Sequence, residues 1–250
     1  VLAAPVVVSE GPVTFDWGRH VLRYSGYSEA EEKPSSNFVD LERNAFVKGM
    51  TSVRGLLAVS YQSFLEELGL LSQELKEGEV EQKKLSPQYE RYSFIVSREF
   101  FSNHGLSVAI RSPLSRLFVL SEDLFEKKVA AEAVPEEKQP FYSGVVLGLN
   151  QATQPKAVYR IVDEDHNLLF SYRDLTYASY GESLMGRWYS NPSSREIRAV
   201  VGTNPIRLKL NVLESGLYQF DSRESSLGKE KLQDLLARGK IMLEIEEKTQ

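Results

Sequence analysis

The last hundred or so residues alternate strand-like and helix-like segments in a fixed order, and no other feature constrains the fold as strongly. An apolar run, Tyr142 to Leu149, comes first, followed by a second strand-like run, Lys156 to Val162. That second run breaks at the acidic turn Asp163-Glu164-Asp165-His166-Asn167, after which Leu168-Leu169-Phe170 again reads as strand. Leu175 to Trp188 has helical character, and Asn191-Pro192-Ser193-Ser194 reads as a loop. Val201-Gly202-Thr203-Asn204-Pro205 then leads into the strand Ile206 to Leu210. Ser222 to Arg238 predicts another helix, with Ser222 as its cap and Gly239 at its stop, before a closing strand from Lys240 to Glu246.

The first half has a different rhythm. Val13-Thr14-Phe15 and Val21-Leu22-Arg23-Tyr24 flank Asp16-Trp17-Gly18-Arg19, the pattern of a hairpin. Gly26 to Ser36 is polar, contains Pro34 and reads as a loop. Apolar residues then recur at helical spacing through Phe38, Leu41, Ala45, Val53 and Phe64, predicting a long helix over 36–71. Gly49, Gly55 and Gly69 each weaken that helix by about 1 kcal/mol relative to Ala, so a kink is expected there. Lys76 to Gln88 is a charged connection, and Tyr92 to Phe101 with Leu106 to Arg111 predicts a second hairpin. Ser121 to Gln139, rich in Glu, Lys and Ala, reads as a linker or a short helix. The whole predicts an α+β fold of mixed and antiparallel sheets, a long N-terminal helix and two or three shorter helices. The expected division is 1–139 and 140–250. No period of 20 to 50 residues repeats, which excludes a solenoid.

Charge and cysteine usage remove several classes of function. A net charge of -5 is unsuited to a general nucleic-acid binder, which needs a basic surface to displace counterions. The absence of cysteine excludes disulfides, thiolate metal sites, a cysteine nucleophile and a lipid-anchoring cysteine in the chain as given. No stretch approaches the roughly 20 apolar residues of a membrane-spanning helix. Val1-Leu2-Ala3-Ala4-Pro5 is compatible with the remnant of an export signal and equally with an ordinary frayed terminus.

Motifs for catalysis are missing. There is no Gly-x-Ser-x-Gly elbow, no Gly-x-Gly-x-x-Gly and no Walker-type loop. His20 and His104 fall in hairpin turns and are expected to be exposed, without a patterned acidic or hydroxyl partner. Asp163-x-Asp165-x-Asn167 places oxygens at alternating positions, as a hard cation requires. Yet Leu168 stands where the helix-loop-helix calcium site needs Gly, and the flanks read as strands. A polar hairpin turn is the favoured reading; a cation or small-ligand site at Asp163, Asp165 and Asn167 is the alternative. Tyr172, Tyr177, Tyr180, Trp188 and Tyr189 form an aromatic-rich stretch. Such residues dominate interaction hot spots but equally fill cores, and the sequence leaves both readings open.

The segment Val13-Thr14-Phe15-Asp16-Trp17-Gly18-Arg19-His20-Val21, followed by a long helix and a strand hairpin, resembles the FlgP-type family of small flagellar lipoproteins. Tyr142-Ser143-Gly144-Val145-Val146, Pro155-Lys156-Ala157, Ile161-Val162-Asp163-Glu164-Asp165, Val201-Gly202-Thr203-Asn204-Pro205 and Gly239-Lys240-Ile241-Met242-Leu243-Glu244-Ile245 are similar to FlgT-like flagellar ring and related envelope proteins. The resemblance implies export to the periplasm, no cofactor, no enzymatic activity, and assembly with other flagellar or envelope proteins. FlgP-type members are anchored through a cysteine that is absent here. That departure points toward a soluble periplasmic component, similar to the coiling and sheath proteins of spirochaete flagella, or toward loss of an anchoring segment.

Overall fold

The computed structural model describes residues 4–10, 13–29, 38–67, 91–113, 142–156, 158–175, 186–221 and 227–245. The first part of the chain forms β1 (Ala4–Pro5), β2 (Val7–Glu10), β3 (Val13–Asp16), β4 (Val21–Ser28), helix α1 (Phe38–Glu67), β5 (Phe94–Phe100) and β6 (Leu106–Pro113). The second part forms β7 (Gly144–Leu149), β8 (Arg160–Val162), β9 (Leu168–Phe170), a 3₁₀ turn (Tyr172–Asp174) and β10 (Arg187–Ser190). Then come α2 (Ser194–Val201), β11 (Pro205–Glu214), β12 (Leu217–Phe220), α3 (Lys229–Ala237) and β13 (Ile241–Ile245). The fold is α+β and rich in sheet. Four strands precede the long helix α1, whose Phe38–Glu67 lies within the expected 36–71.

Two compact units result. One comprises Val7–Asp16 and His20–Leu117; the other comprises Val1–Val6, Trp17–Arg19 and Phe118–Gln250. The smaller sheet has the order β2-β3-β4-β6-β5, with every neighbouring pair antiparallel. Its strands alternate as a half-buried sheet should: Leu22 and Tyr24 point into the core while Arg23 and Ser25 point out. Helix α1 covers the inner face, contributing Leu41, Ala45, Met50 and Val53 at helical spacing against Leu106, Val108 and Ile110 of β6.

Gly49 introduces no break in α1, because it is a contact point. A Cβ on Gly26 of β4 would lie 1.9 Å from the Ala45 carbonyl oxygen, and one on Gly49 would lie 2.8 Å from Ile110 Cδ1. Helix and strand backbones therefore touch at these two glycines. Nearby, the Tyr24 hydroxyl donates to Met50 Sδ at 2.7 Å and hydrogen-bonds Ser112 Oγ at 3.2 Å. Gly26, Tyr27 and Ser28 continue β4, correcting the expectation of a loop from Gly26. The predicted connection 76–88 and linker 121–139 lie outside the described residues.

The larger sheet has eight strands in the order β1-β10-β13-β7-β11-β12-β8-β9. Its centre, β10-β13-β7-β11, is parallel throughout. Parallel strands buried on both faces read as unbroken apolar runs, and Val145-Val146-Leu147 and Ile241-Met242-Leu243 are such runs. Helices α2 and α3 supply the crossovers into β11 and β13. Val146 and Met242 pack with Tyr189 and Val201, and Ile197 and Val200 of α2 close that cluster. Leu232, Leu235 and Leu236 of α3 are buried, and the helix stops at Gly239, which takes φ +71°.

Several boundaries moved. Arg187 and Trp188 belong to β10, so the expected helix over 175–188 does not extend to its end; residues 176–185 lie outside those described. Helix α3 starts at Lys229 with Gly228 as its cap, so Ser222 does not cap it. Ser194 begins α2, where a loop was expected. Strand β12 and the short strands β1 and β2 were not anticipated.

Candidate interaction surface

The acidic turn is closed by its own hydrogen bonds. Asp163 Oδ1 accepts the backbone N–H groups of Asp165 at 2.9 Å and Asn167 at 2.8 Å. Asp163 Oδ2 accepts Asn167 Nδ2 at 3.2 Å and the ammonium of Lys229 at 2.8 Å. The Asp163 side chain is 3% exposed, and the Lys229 ammonium, helped by the Asn167 and Asp165 N–H donors, holds its carboxyl far below the usual carboxylate range. Asp165 and Asn167 thus present hydrogens to Asp163, and Lys229 occupies the place a cation would take. His166 supports the turn by adopting φ +62°, a conformation in which His is over-represented. Among the described residues no group of three or more His, Cys, Asp or Glu side chains is placed to hold a metal ion.

The aromatic stretch turns inward where it is described. Trp188 is fully buried, Tyr172 is 1% exposed and Tyr189 is 6% exposed. Tyr159 is the hub of this core, with its ring 5.7 Å from Phe170, 5.7 Å from Tyr172, 6.5 Å from Trp188 and 6.0 Å from Tyr218. Burial raises the Tyr159 phenol above its ordinary value and pushes Tyr218 up to about 12, the Gly216 backbone and Thr153 side chain offsetting part of the latter rise. Tyr172, Trp188 and Tyr189 are therefore core residues, not members of an exposed surface. Tyr177 and Tyr180 lie outside the described residues. His20, expected to be exposed, is buried, while His104 is exposed at its turn.

Exposed apolar side chains gather on the other unit. Edge strand β5 carries Phe94, Val96 and Phe100, each at least half exposed, and Phe101 follows at 42%. Beside it, the first turns of α1 expose Phe38 and Val39, and Val47 is exposed further along. The Phe38 and Phe100 rings lie 5.7 Å apart, and Phe101 meets Tyr27 edge-on at 5.6 Å. Arg98 clamps Glu42 with two hydrogen bonds, which join β5 to α1 and hold the Glu42 carboxyl below its ordinary value. The register sets Phe100 on the face of β5 that α1 covers and Phe94 on the opposite face, beside Arg111.

The sequence carries a signal for this rim in the broken alternation of β5. Phe94-Ile95-Val96-Ser97-Arg98-Glu99-Phe100 lacks clean alternation, as an edge strand with a bulge should, and the register shifts between Ile95 and Ser97. No family model matches this chain, and no curated protein matches it. Among the described residues no helix is long and apolar enough to cross a membrane.

Proposed function

We propose that this chain is a noncatalytic structural protein of the periplasm that joins a flagellar or envelope assembly through protein contacts. The observation that carries the reading is the exposed aromatic rim of Phe38, Phe100 and Phe101, with Val39 beside it, where edge strand β5 meets the start of α1. Paired exposed aromatics of this kind are what a partner covers, since aromatic side chains dominate interface hot spots. The bulge at Val96 and the charged pair Arg98-Glu99 blunt β5 against unspecific strand addition, so the rim offers side chains more than backbone. The flagellar placement, as filament sheath or basal ring, rests on the resemblance of 13–21, 142–146 and 201–205.

The test is crosslinking and affinity capture of the tagged chain from native cells, comparing wild type with a Phe38→Ser/Phe100→Ser variant. Capture of filament or sheath proteins selects the sheath role, and capture of basal-body proteins selects the ring. The double substitution is expected to abolish that capture while lowering the thermal midpoint only modestly, because both side chains are about half solvated. Undiminished capture by a folded variant would remove the rim from the interface.

A further inference from the structure

The outer face of the five-stranded sheet carries a feature that its own stability does not call for. Arg23 of β4 and Arg111 of β6 are direct cross-strand partners, both exposed. Like charges set opposite each other in an antiparallel pair oppose strand pairing. Among the described residues neither arginine side chain has an ion-pair or hydrogen-bond partner. The register places Thr14 on one side of this pair and Phe94, half exposed, on the other, all in one row across the sheet. The next row is Ser25, Ala109 and Ser97, without charge. Glu99 lies a further row away, and Asp16, near Arg23 in register, is buried.

We infer that this face is a docking surface for an acidic, extended segment of a partner protein, whose carboxylate is gripped by Arg23 and Arg111 together. Two guanidinium groups on adjacent strands, about 5 Å apart at their backbones, suit a carboxylate accepting bidentate hydrogen bonds from both. The chain's net charge of -5 makes this local reversal of sign a directional cue for an anionic partner. Two cations on a flat face are too few for a nucleic-acid backbone, and a polybasic lipid site takes roughly 4 to 8.

Geometry also sets the spacing of the segment. With strands about 4.8 Å apart, the midpoint of the arginine pair lies about 7 Å from Phe94 along the row. A segment crossing the strands in extended form places same-side residues about 6.7 Å apart, at i and i+2. The motif that fits is an acidic residue, any residue, then an apolar one that packs on Phe94. This surface lies on the face of β5 opposite Phe100, with Phe94 beside Arg111, so it is tested apart from the contact at Phe38 and Phe100.

A displayed random-peptide library, selected against the immobilised full chain, tests the inference. Enrichment of Asp or Glu followed two places later by an apolar residue is expected. Selected peptides should lose at least tenfold in affinity for Arg23→Gln or Arg111→Gln, and weaken as salt rises. Arg111→Lys should restore part of the loss, since charge returns without the planar fork. Both Gln variants should melt no lower than wild type, because each removes a like-charge contact. Phe38→Ser/Phe100→Ser should bind these peptides as wild type does. Selection of no acidic motif, undiminished binding by both Gln variants, or arginine-dependent binding only to phosphatidylglycerol vesicles or inorganic phosphate would each overturn it.

Discussion

The carboxylate of Asp163 is bound by the Lys229 ammonium and three N–H donors, so its ionised form is favoured in the folded chain. Its folded pKa lies below the unfolded value of about 3.9, and the contribution it makes to stability is therefore present above pH 4. As pH falls below 4 that contribution is lost, because the unfolded chain then binds a proton that the folded chain still excludes. Asp163→Asn should lower stability at pH 7 and flatten the acid limb of the stability profile, measured as urea midpoints from pH 7 to pH 3. An unchanged acid limb would mean that this turn is not a major acid-sensitive group. Gly26 is the second residue whose role is set by distance. A Cβ there meets the Ala45 carbonyl oxygen at 1.9 Å and the Gly49 nitrogen at 2.6 Å, both backbone atoms that no rotamer change can move. Gly26→Ala should destabilise the chain by about 3 kcal/mol, the upper range for overpacking, read by chemical denaturation.

At the scale of elements, α2 is held at its start by a reciprocal cap. Ser193 Oγ accepts the Glu196 N–H at 3.3 Å, and Glu196 Oε2 accepts the Ser193 N–H at 2.8 Å. Ser193→Ala should cost about 1 kcal/mol in urea denaturation, and Glu196→Gln should cost less because the amide oxygen still accepts. The same Ser-x-x-Glu spacing is visible in the sequence, yet Asn191-Pro192-Ser193-Ser194 looks like a loop because four turn-forming residues precede the apolar positions. The hairpins over 13–24 and 94–111 and the core strands β7 and β13 were legible, because period-two alternation and unbroken apolar runs each have a direct structural cause, but the parallel pairing of the core was not. The destination of the aromatics was not. Trp188 and Tyr189 are neighbours in β10 and face opposite sides of a sheet whose two faces are both covered, so both are buried. Nothing local in Arg187-Trp188-Tyr189-Ser190 says that both faces are covered; Trp188 packs on Tyr159 and Tyr218, and Tyr189 on Val201 of α2. The rim on β5 was legible only as broken alternation over Phe94–Phe100, since exposure of Phe94 and Phe100 follows from β5 being last in the sheet order.

At the scale of the whole molecule, the unit built mainly from 118–250 also takes in two short pieces from the start of the chain. Ala4 and Pro5 form β1, which pairs antiparallel with Tyr189 and Ser190 of β10 and ends the eight-stranded sheet. Val6 N–H donates to the Trp188 carbonyl at 3.1 Å, Trp17 N–H donates to the Val6 carbonyl at 2.9 Å, and the Tyr189 hydroxyl donates to the Gly18 carbonyl at 3.0 Å. These bonds assign the opening residues a role in sheet closure that a frayed terminus would not have. Removing residues 1–6 should therefore bare the edge of β10 and leave the Trp188 carbonyl and Trp17 amide without their partners. With each net hydrogen bond contributing about 1 kcal/mol, loss of these two should cost the truncated chain about 2 kcal/mol relative to the full one. Trp188 is fully buried in the intact chain, so its partial exposure should move tryptophan emission to longer wavelength. A peptide spanning 1–6, added in excess, should restore the midpoint in a concentration-dependent manner, as any ligand of the folded state does. If the truncated chain matches the full one in urea midpoint and emission, β1 is an accessory strand, and the closure of the sheet lies in β10 and β13 alone.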